Sequence, residues 1–542
     1  MYVSGRAVVA ALVAFAAVPI EAQSKTGGSR PGIDIVHYVF DVTLPERGRW
    51  IDGRATIVLR RTARVDALLL DLVGMKVDSA LVNGRATQFA VADSTLSLTL
   101  PPGSSDSLTV VVRYSGEPKD GLIFSTDSLG RWQAFGDNFP NRARFWLPVI
   151  DHPSDKATVS WTVRAPSDRT VIGTGAEVVS AHAPPATQTR STMWTMSRPI
   201  PTYLMVIGVA PFAVVDLGDS ACGLGEVARC VKQSVWASAE VRDYLPGPFA
   251  KAGAMVDFFA RTVGPFPYEK LAHVQSATRY GGMENATAIF YSDQAFKRRN
   301  VGEGLIAHEI AHQWFGDAVT ESEWPHVWLS EGFATYFASL WTEHSRGDSV
   351  FLASLRQMRD GALRGQIASQ KAIVDTTLDN VANVLNSNVY QKAGFTLHML
   401  RREVGDSAFF RGIRNYYAKY KHRTALTQDF MREVETTAER PLGWFFEQWF
   451  WRAGFAELTV GWRYDAAKQR VLLDVEQGTR FPPYRVKMAV DLVAADGSVT
   501  RTVVEIPAQQ RTSVEVPLNT PRAPANVLLD ANVGVLGTIR AK

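Results

Sequence analysis

The chain has 542 residues, with 58 Lys or Arg against 54 Asp or Glu and a formal net charge of +4. That length exceeds one ordinary domain and allows roughly two to four; 46% apolar and 21% charged residues describe a soluble globular chain with material for several cores. The even charge balance, with no nucleic-acid-reading motif, excludes the concentrated basic stripe of a nucleic-acid binder.

Residues 1–22 read as a secretory signal. Arg6 supplies a positive start, Ala7 to Ile20 is an apolar run too short for a comfortable membrane span, and Ile20-Glu21-Ala22 offers a cleavage site. An uncleaved anchor is the alternative. No Cys follows the run, which argues against a lipoprotein anchor, and no later stretch is long and apolar enough to span a bilayer. The expectation is an exported protein, periplasmic or extracellular, without stable membrane insertion after cleavage. Residues 23–32 (QSKTGGSRPG) are polar and Gly-rich, a flexible leader.

From 33 to 215 the signals are β. Val36 to Val42, Ala55 to Leu59 and Leu108 to Tyr114 are β-branched and aromatic runs, and Asn83-Gly84 marks a hairpin turn. This predicts a large antiparallel N-terminal β-domain. Cys222 and Cys230, the only cysteines, stand close together in a chain expected in an oxidising compartment, so they are a disulfide candidate.

Residues 216–452 read as a mainly helical α/β catalytic domain with one small sheet. Ala250 to Val263 is a helix by its apolar spacing, stopped by Gly264-Pro265, and Leu271 to Gln275 reads as a strand. Further helices are predicted over Gly304 to Trp314 and over 332–344, 350–366, 389–403, 407–420 and 426–437. From 453 to 542 the pattern returns to strands, with a turn at Asp496-Gly497, predicting a small C-terminal β-sandwich.

The decisive segment is His308-Glu309-Ile310-Ala311-His312. Residues four apart share one face of a helix, so two imidazoles point at one place, and zinc accepts such nitrogen ligands. Glu309, beside the first His, reaches an attacking water rather than the metal. Glu331 follows with eighteen residues between it and His312, and a second helix can present it as the third ligand to one Zn²⁺. Leu305, Ile306, Ile310, Trp314 and Phe315 make this helix apolar and buried, and buried His and Glu need a partner that offsets their desolvation. Asp317, Glu321, Glu323 and His326 lie near the ligands in sequence and read as loop residues or, at best, as supports behind the ligands, with a solvated surface as the default.

These motifs resemble the aminopeptidase N family of zinc exopeptidases, which also includes leukotriene hydrolase. Tyr280-Gly281-Gly282-Met283-Glu284-Asn285 resembles its exopeptidase signature, Tyr390-Gln391-Lys392-Ala393-Gly394 its catalytic-tyrosine segment, and Phe445-Phe446-Glu447-Gln448-Trp449 the close of its catalytic domain. Asn141 to Pro148 followed by Asp151 resembles the end of its N-terminal motif. The resemblance implies a thermolysin-like catalytic domain that hydrolyses N-terminal peptide bonds of peptides with a free N-terminus. In it His308, His312 and Glu331 hold zinc and Glu309 is the general base. Tyr390 stabilises the oxyanion and Glu284 binds the free α-amine. Gly281 and Gly282 let the substrate backbone lie close, and Met283 borders the pocket for the first side chain. Lys392 reads as structural. The chain departs from the family at Ser330, which replaces Asn, and at the inserted Ala393. A second amine-binding residue from the N-terminal domain is unassigned among Gln133, Asp137 and Asn138. The alternatives are a secreted endopeptidase with the same metal site, a non-catalytic peptide-binding protein, and epoxide hydrolysis.

Overall fold

The computed structural model describes residues 28–104, 106–181, 188–220, 231–365, 367–518 and 522–542. The signal segment, the first half of the leader (23–27), and both Cys222 and Cys230 lie outside the described residues.

The N-terminal unit is β throughout. Ile33–Thr43, Ile51–Arg61, Ser107–Gly116, Lys156–Pro166 and Thr189–Pro201 are the long strands of an eight-stranded sheet, with a four-stranded and a three-stranded sheet beside it. Alternation drives these strands: Tyr38, Phe40 and Val42 point inward while their neighbours are half-buried or exposed. A register shift between Ile35 and His37 moves the buried set from the odd to the even positions. The expected all-antiparallel pairing needs one correction. Ile33–Thr43 runs parallel to Lys156–Pro166, which only the long excursion between them makes possible.

The strand Phe212–Ser220 pairs with Val231–Ser238 in the next unit's sheet, so the expected border at 215/216 falls inside a strand rather than between domains. This five-stranded sheet runs Phe212–Ser220, Val231–Ser238, Lys270–Ser276, Ala288–Ser292, Gly282–Met283, with the two-residue strand at its edge. Helices Ala252–Thr262, Glu303–His312, Trp328–Arg346, Asp348–Arg364, Ala393–Val404, Asp406–Tyr420 and Thr427–Ala438 are the longer helices of the unit, close to the predicted ranges, and a second, two-stranded sheet pairs Val319–Glu321 with Arg423–Ala425. No helix among the described residues is long and apolar enough to cross a membrane.

The C-terminal unit is a four-stranded sheet (Ala456–Asp465, Arg470–Gln477, Arg511–Pro517, Gly537–Ala541) and a three-stranded sheet (Val486–Val493, Val499–Ile506, Asn526–Leu529). It is joined to the helices through Gln448, whose amide exchanges hydrogen bonds with the backbone of Arg485.

Candidate metal centre and peptide cleft

Helix Glu303–His312 buries Ile306, Ala307, Ile310 and Ala311 and turns His308 and His312 toward helix Trp328–Arg346, which carries Glu331 in its first turn. His308 Nε2 lies 3.0 Å from His312 Nε2, and each is 3.3 Å from Glu331 Oε2. Ligands at about 2.1 Å around a tetrahedral zinc stand about 3.4 Å apart, so this triangle fits the ion. The tautomer fits as well. His312 Nδ1 is 3.1 Å from both Phe315 O and Ser330 Oγ, which can hold a ring proton there and leave Nε2 as the nitrogen that faces an ion. Burial disfavours the charged ring, but the carboxylates of Glu284 and Glu331 outweigh it and raise its pKa well above 6.5, so a bound ion would displace the Nε2 proton. Ser330, a departure in the sequence, therefore still supports a ligand. Gly316 is required beside it: its φ is +116°, and a Cβ would stand 2.4 Å from Ser330 Oγ.

Charge makes the same case. Glu284, Glu309, Asp317, Glu321 and Glu331 are all buried. Burial pushes the Glu309 and Asp317 carboxyls well above their ordinary range, Glu284 to about 7 and Glu321 to about 8. Glu331 goes the other way: burial raises it, but the charges and hydrogen bonds of His312 and His308 outweigh that and hold it at about 2. Among the described residues Glu309 Oε2 has no hydrogen-bond donor. So many buried acids together are costly without cations, and a divalent ion with a substrate ammonium would offset them.

Asp317, Glu321 and His326 correct the sequence reading, because they are buried rather than solvated; Glu323 is exposed. The cover comes from distant segments. Lys156 of the N-terminal unit donates to Asp317 O, Ala318 O and Thr320 Oγ1 at 2.9–3.0 Å, and His326 Nδ1 is bonded to Thr427 Oγ1 at 2.8 Å. Lys392 is buried, and among the described residues its amine has no hydrogen-bond partner.

The amine-anchor candidate is tied to the metal helix by a residue the sequence did not single out. Gln313 Nε2 donates to Glu284 O at 3.0 Å and to Asp317 Oδ2 at 2.8 Å, and its Oε1 accepts from Thr287 N at 2.9 Å. Carboxylate oxygens of Glu284 and Glu309 and a ring nitrogen of His312 lie within 4.8 Å of one another. Gly282 passes so close that a Cβ there would stand 2.1 Å from Glu309 Oε1.

Tyr390 sits in a π-helical turn, Asn388–Lys392, that leads into helix Ala393–Val404. Its hydroxyl donates to Glu331 Oε1 at 2.7 Å, and its ring stacks on His308 at 6.1 Å between centroids. Small residues permit this approach: a Cβ on Gly332 would meet Ala393 Cβ at 2.7 Å, so Ala393 fills the crossing rather than disturbing it.

These groups line a cleft of about 420 Å³, with Phe139, Tyr280, Met283, Leu385 and Gln391 forming further walls. Gln133, Asp137 and Asn138 do not line it. Gln133 bonds Ser125, Asn138 bonds Met205 O and Trp146, and Asp137 pairs with Arg142.

Residues 249–449 match the Peptidase family M1 domain, and residues 35–204 match the Peptidase M1 N-terminal domain. Among curated relatives, the Tricorn protease-interacting factor F2 of Thermoplasma acidophilum is 24% identical over 76% of this chain and 52% of its own length. Human glutamyl aminopeptidase is 27% identical over 64% of this chain and 37% of its own. The chain thus spans about half or less of the length of these relatives. The M1 zinc metallopeptidase of Deinococcus radiodurans superposes with a TM-score of 0.68 at 24% identity, over 78% of this chain and 94% of that one, which establishes a shared fold.

Proposed function

The chain belongs to peptidase family M1, and on that premise we propose that it is a zinc-dependent aminopeptidase that removes the first residue of peptides with a free N-terminus. The observation that carries this is the triangle of His308, His312 and Glu331 donor atoms, with the carboxylates of Glu309 and Glu284 beside it.

His308, His312 and Glu331 would hold one Zn²⁺, which when bound supplies Lewis acidity to the scissile carbonyl and lowers the pKa of an attacking water. Glu309 accepts the proton of that water and passes it to the leaving amine. Tyr390, whose hydroxyl lies beside Glu331, donates it to charge that develops on the carbonyl oxygen. Glu284 accepts the substrate's α-ammonium. A blocked amine leaves this buried carboxylate unpaired, which separates an exopeptidase from an endopeptidase. The strand Gly282–Met283 has a sheet neighbour on one side, so its other side can pair with an extended substrate.

The cleft wall also bears on the first side chain. Among the described residues its lining carries no Asp or Glu apart from Glu284, Glu309 and Glu331, and no Lys or Arg. Phe139, Met283 and Leu385 suit an uncharged apolar residue, and an acidic one would meet carboxylates without a counter-charge. The signal-like residues 1–22 support export to the periplasm or outside the cell.

A panel of aminoacyl fluorogenic amides tests the reading. Leu, Met and Phe amides are expected to be cleaved best and Glu and Asp amides least. Glu284→Ala is expected to raise KM for all of them, and an unchanged KM would remove Glu284 as the anchor.

A further inference from the structure

The N-terminal unit reaches the cleft through Phe139, and charged residues around Phe139 grip the segment that carries the amine anchor. Asp137 is fully buried; its Oδ2 lies 2.9 Å from Arg142 Nη2 and 3.5 Å from Arg279 Nε, and its Oδ1 accepts from Thr278 Oγ1 at 3.3 Å. Asp120 lies 3.6 Å from Arg142 Nη1 and pairs closely with Arg279 Nη2. Asp120, Arg142 and Asp137 from the N-terminal unit therefore alternate in charge with Arg279 from the catalytic unit. Arg142 Nε donates to Phe139 O at 2.6 Å, and its guanidinium lies 5.8 Å from the centroid of the Tyr280 ring.

Thr278, Arg279 and Tyr280 run directly into Gly281-Gly282-Met283-Glu284. The strand Gly282–Met283 is two residues long and is paired on one side, so its ladder alone fixes it weakly. Its tolerance is small, because Gly282 passes against the carboxylate of Glu309.

We propose that Arg279, clamped by Asp120 and Asp137 of the N-terminal unit, is a positioning residue that sets where Glu284 and the edge strand stand relative to the metal centre. The proposal rests on Glu284 being the amine anchor. It gives the N-terminal unit a part in substrate binding, and it removes Asp137 from the candidates for a second amine ligand, since its carboxylate is spent on the two arginines.

Arg279 is the residue to change because its side chain is 50% exposed and its removal leaves Asp137 paired with Arg142. Removing Arg142 would strand a buried charge and test folding instead. In Arg279→Met, KM for leucyl amides is expected to rise about 10-fold, with kcat changed less than about three-fold, as for a displaced binding group. Arg279→Lys, which keeps the charge without the fork, is expected to recover most of that rise. Zinc content and Tm are read alongside. In the Glu284→Gln background, Arg279→Met is expected to add little, because the two act through one contact.

Binding of L-leucinol by calorimetry repeats the comparison without turnover. An active wild type with unchanged KM and leucinol affinity in Arg279→Met, effects that add in the double variant, or a loss that tracks zinc or Tm would each overturn the proposal alone. A zinc-loaded wild type that neither cleaves leucyl amides nor binds leucinol would overturn the aminopeptidase reading, and this proposal with it.

Discussion

Gly282→Ala isolates the geometry of the general base without touching a metal ligand. An ideal Cβ at this position falls 2.1 Å from Glu309 Oε1, 2.4 Å from its Cδ and 2.8 Å from its Cγ. Non-bonded carbons settle at about 3.5–4.0 Å, so the carboxylate or the edge strand must yield by more than about 1 Å. A misplacement of that size at a reacting group costs about 10²-fold in rate, or about 2.7 kcal/mol of transition-state stabilisation. The strain of a methyl forced into a packed place is about 1–3 kcal/mol, which a chain of this size absorbs with a small fall in Tm. The assay is kcat/KM on leucyl and phenylalanyl amides, with zinc per chain and thermal unfolding on the same sample. A kcat/KM within about three-fold of wild type would refute the reasoning, because Glu309 would then tolerate displacement; so would a loss matched by lost zinc, which would place the damage at the ligands.

Tyr390→Phe removes the hydroxyl that donates to Glu331 Oε1 and is expected to lower kcat by about 10²-fold with KM little changed, measured by steady-state kinetics beside zinc analysis. Removing metal with a chelator is expected to abolish activity and lower Tm, because the buried carboxyls of Glu284, Glu309 and Glu331 lose their cation; stoichiometric zinc should restore both. His273 gives a pH signature remote from the cleft. It is fully buried, with Nδ1 3.0 Å from Tyr291 Oη, and burial pushes it from 6.5 down to about 3. The unfolded chain therefore binds a proton that the folded chain refuses, so stability falls as pH drops from about 6.5 toward 3. In urea unfolding, the stability advantage of wild type over His273→Gln should shrink by about 3 kcal/mol between pH 7.5 and 4.5; a constant gap would contradict it.

The convergence of His308, His312 and Glu331 was legible because its information is local. The spacing of His308 and His312 fixes a helix face, and the apolar residues around them fix its burial. Glu331 was legible because only a connection separates the helix that ends at His312 from the helix that carries it in its first turn. What could not be read depends on chain segments far apart in sequence. Asp317, Glu321 and His326 carry the composition of a surface loop yet are buried, with Lys156 on the backbone of Asp317 and Thr427 on the ring of His326 brought in from distant elements. The parallel pairing of Ile33–Thr43 with Lys156–Pro166 likewise has no local signal. Ala393 looked like a disruption in one dimension and proves to be the contact that lets helix Ala393–Val404 approach Gly332. Gln313 was in plain view, five residues after His308, yet its role depends on where Glu284 O and Thr287 N arrive.

The most direct test of the central claim is to offer zinc-loaded protein a short leucine-initiated peptide and its N-acetylated twin, and to identify the products by mass. The account predicts that the free peptide loses its first residue, that the acetylated peptide survives, and that Glu309→Gln spares both. Cleavage of the acetylated peptide at an interior bond, or undiminished release of leucine by Glu309→Gln, would contradict it.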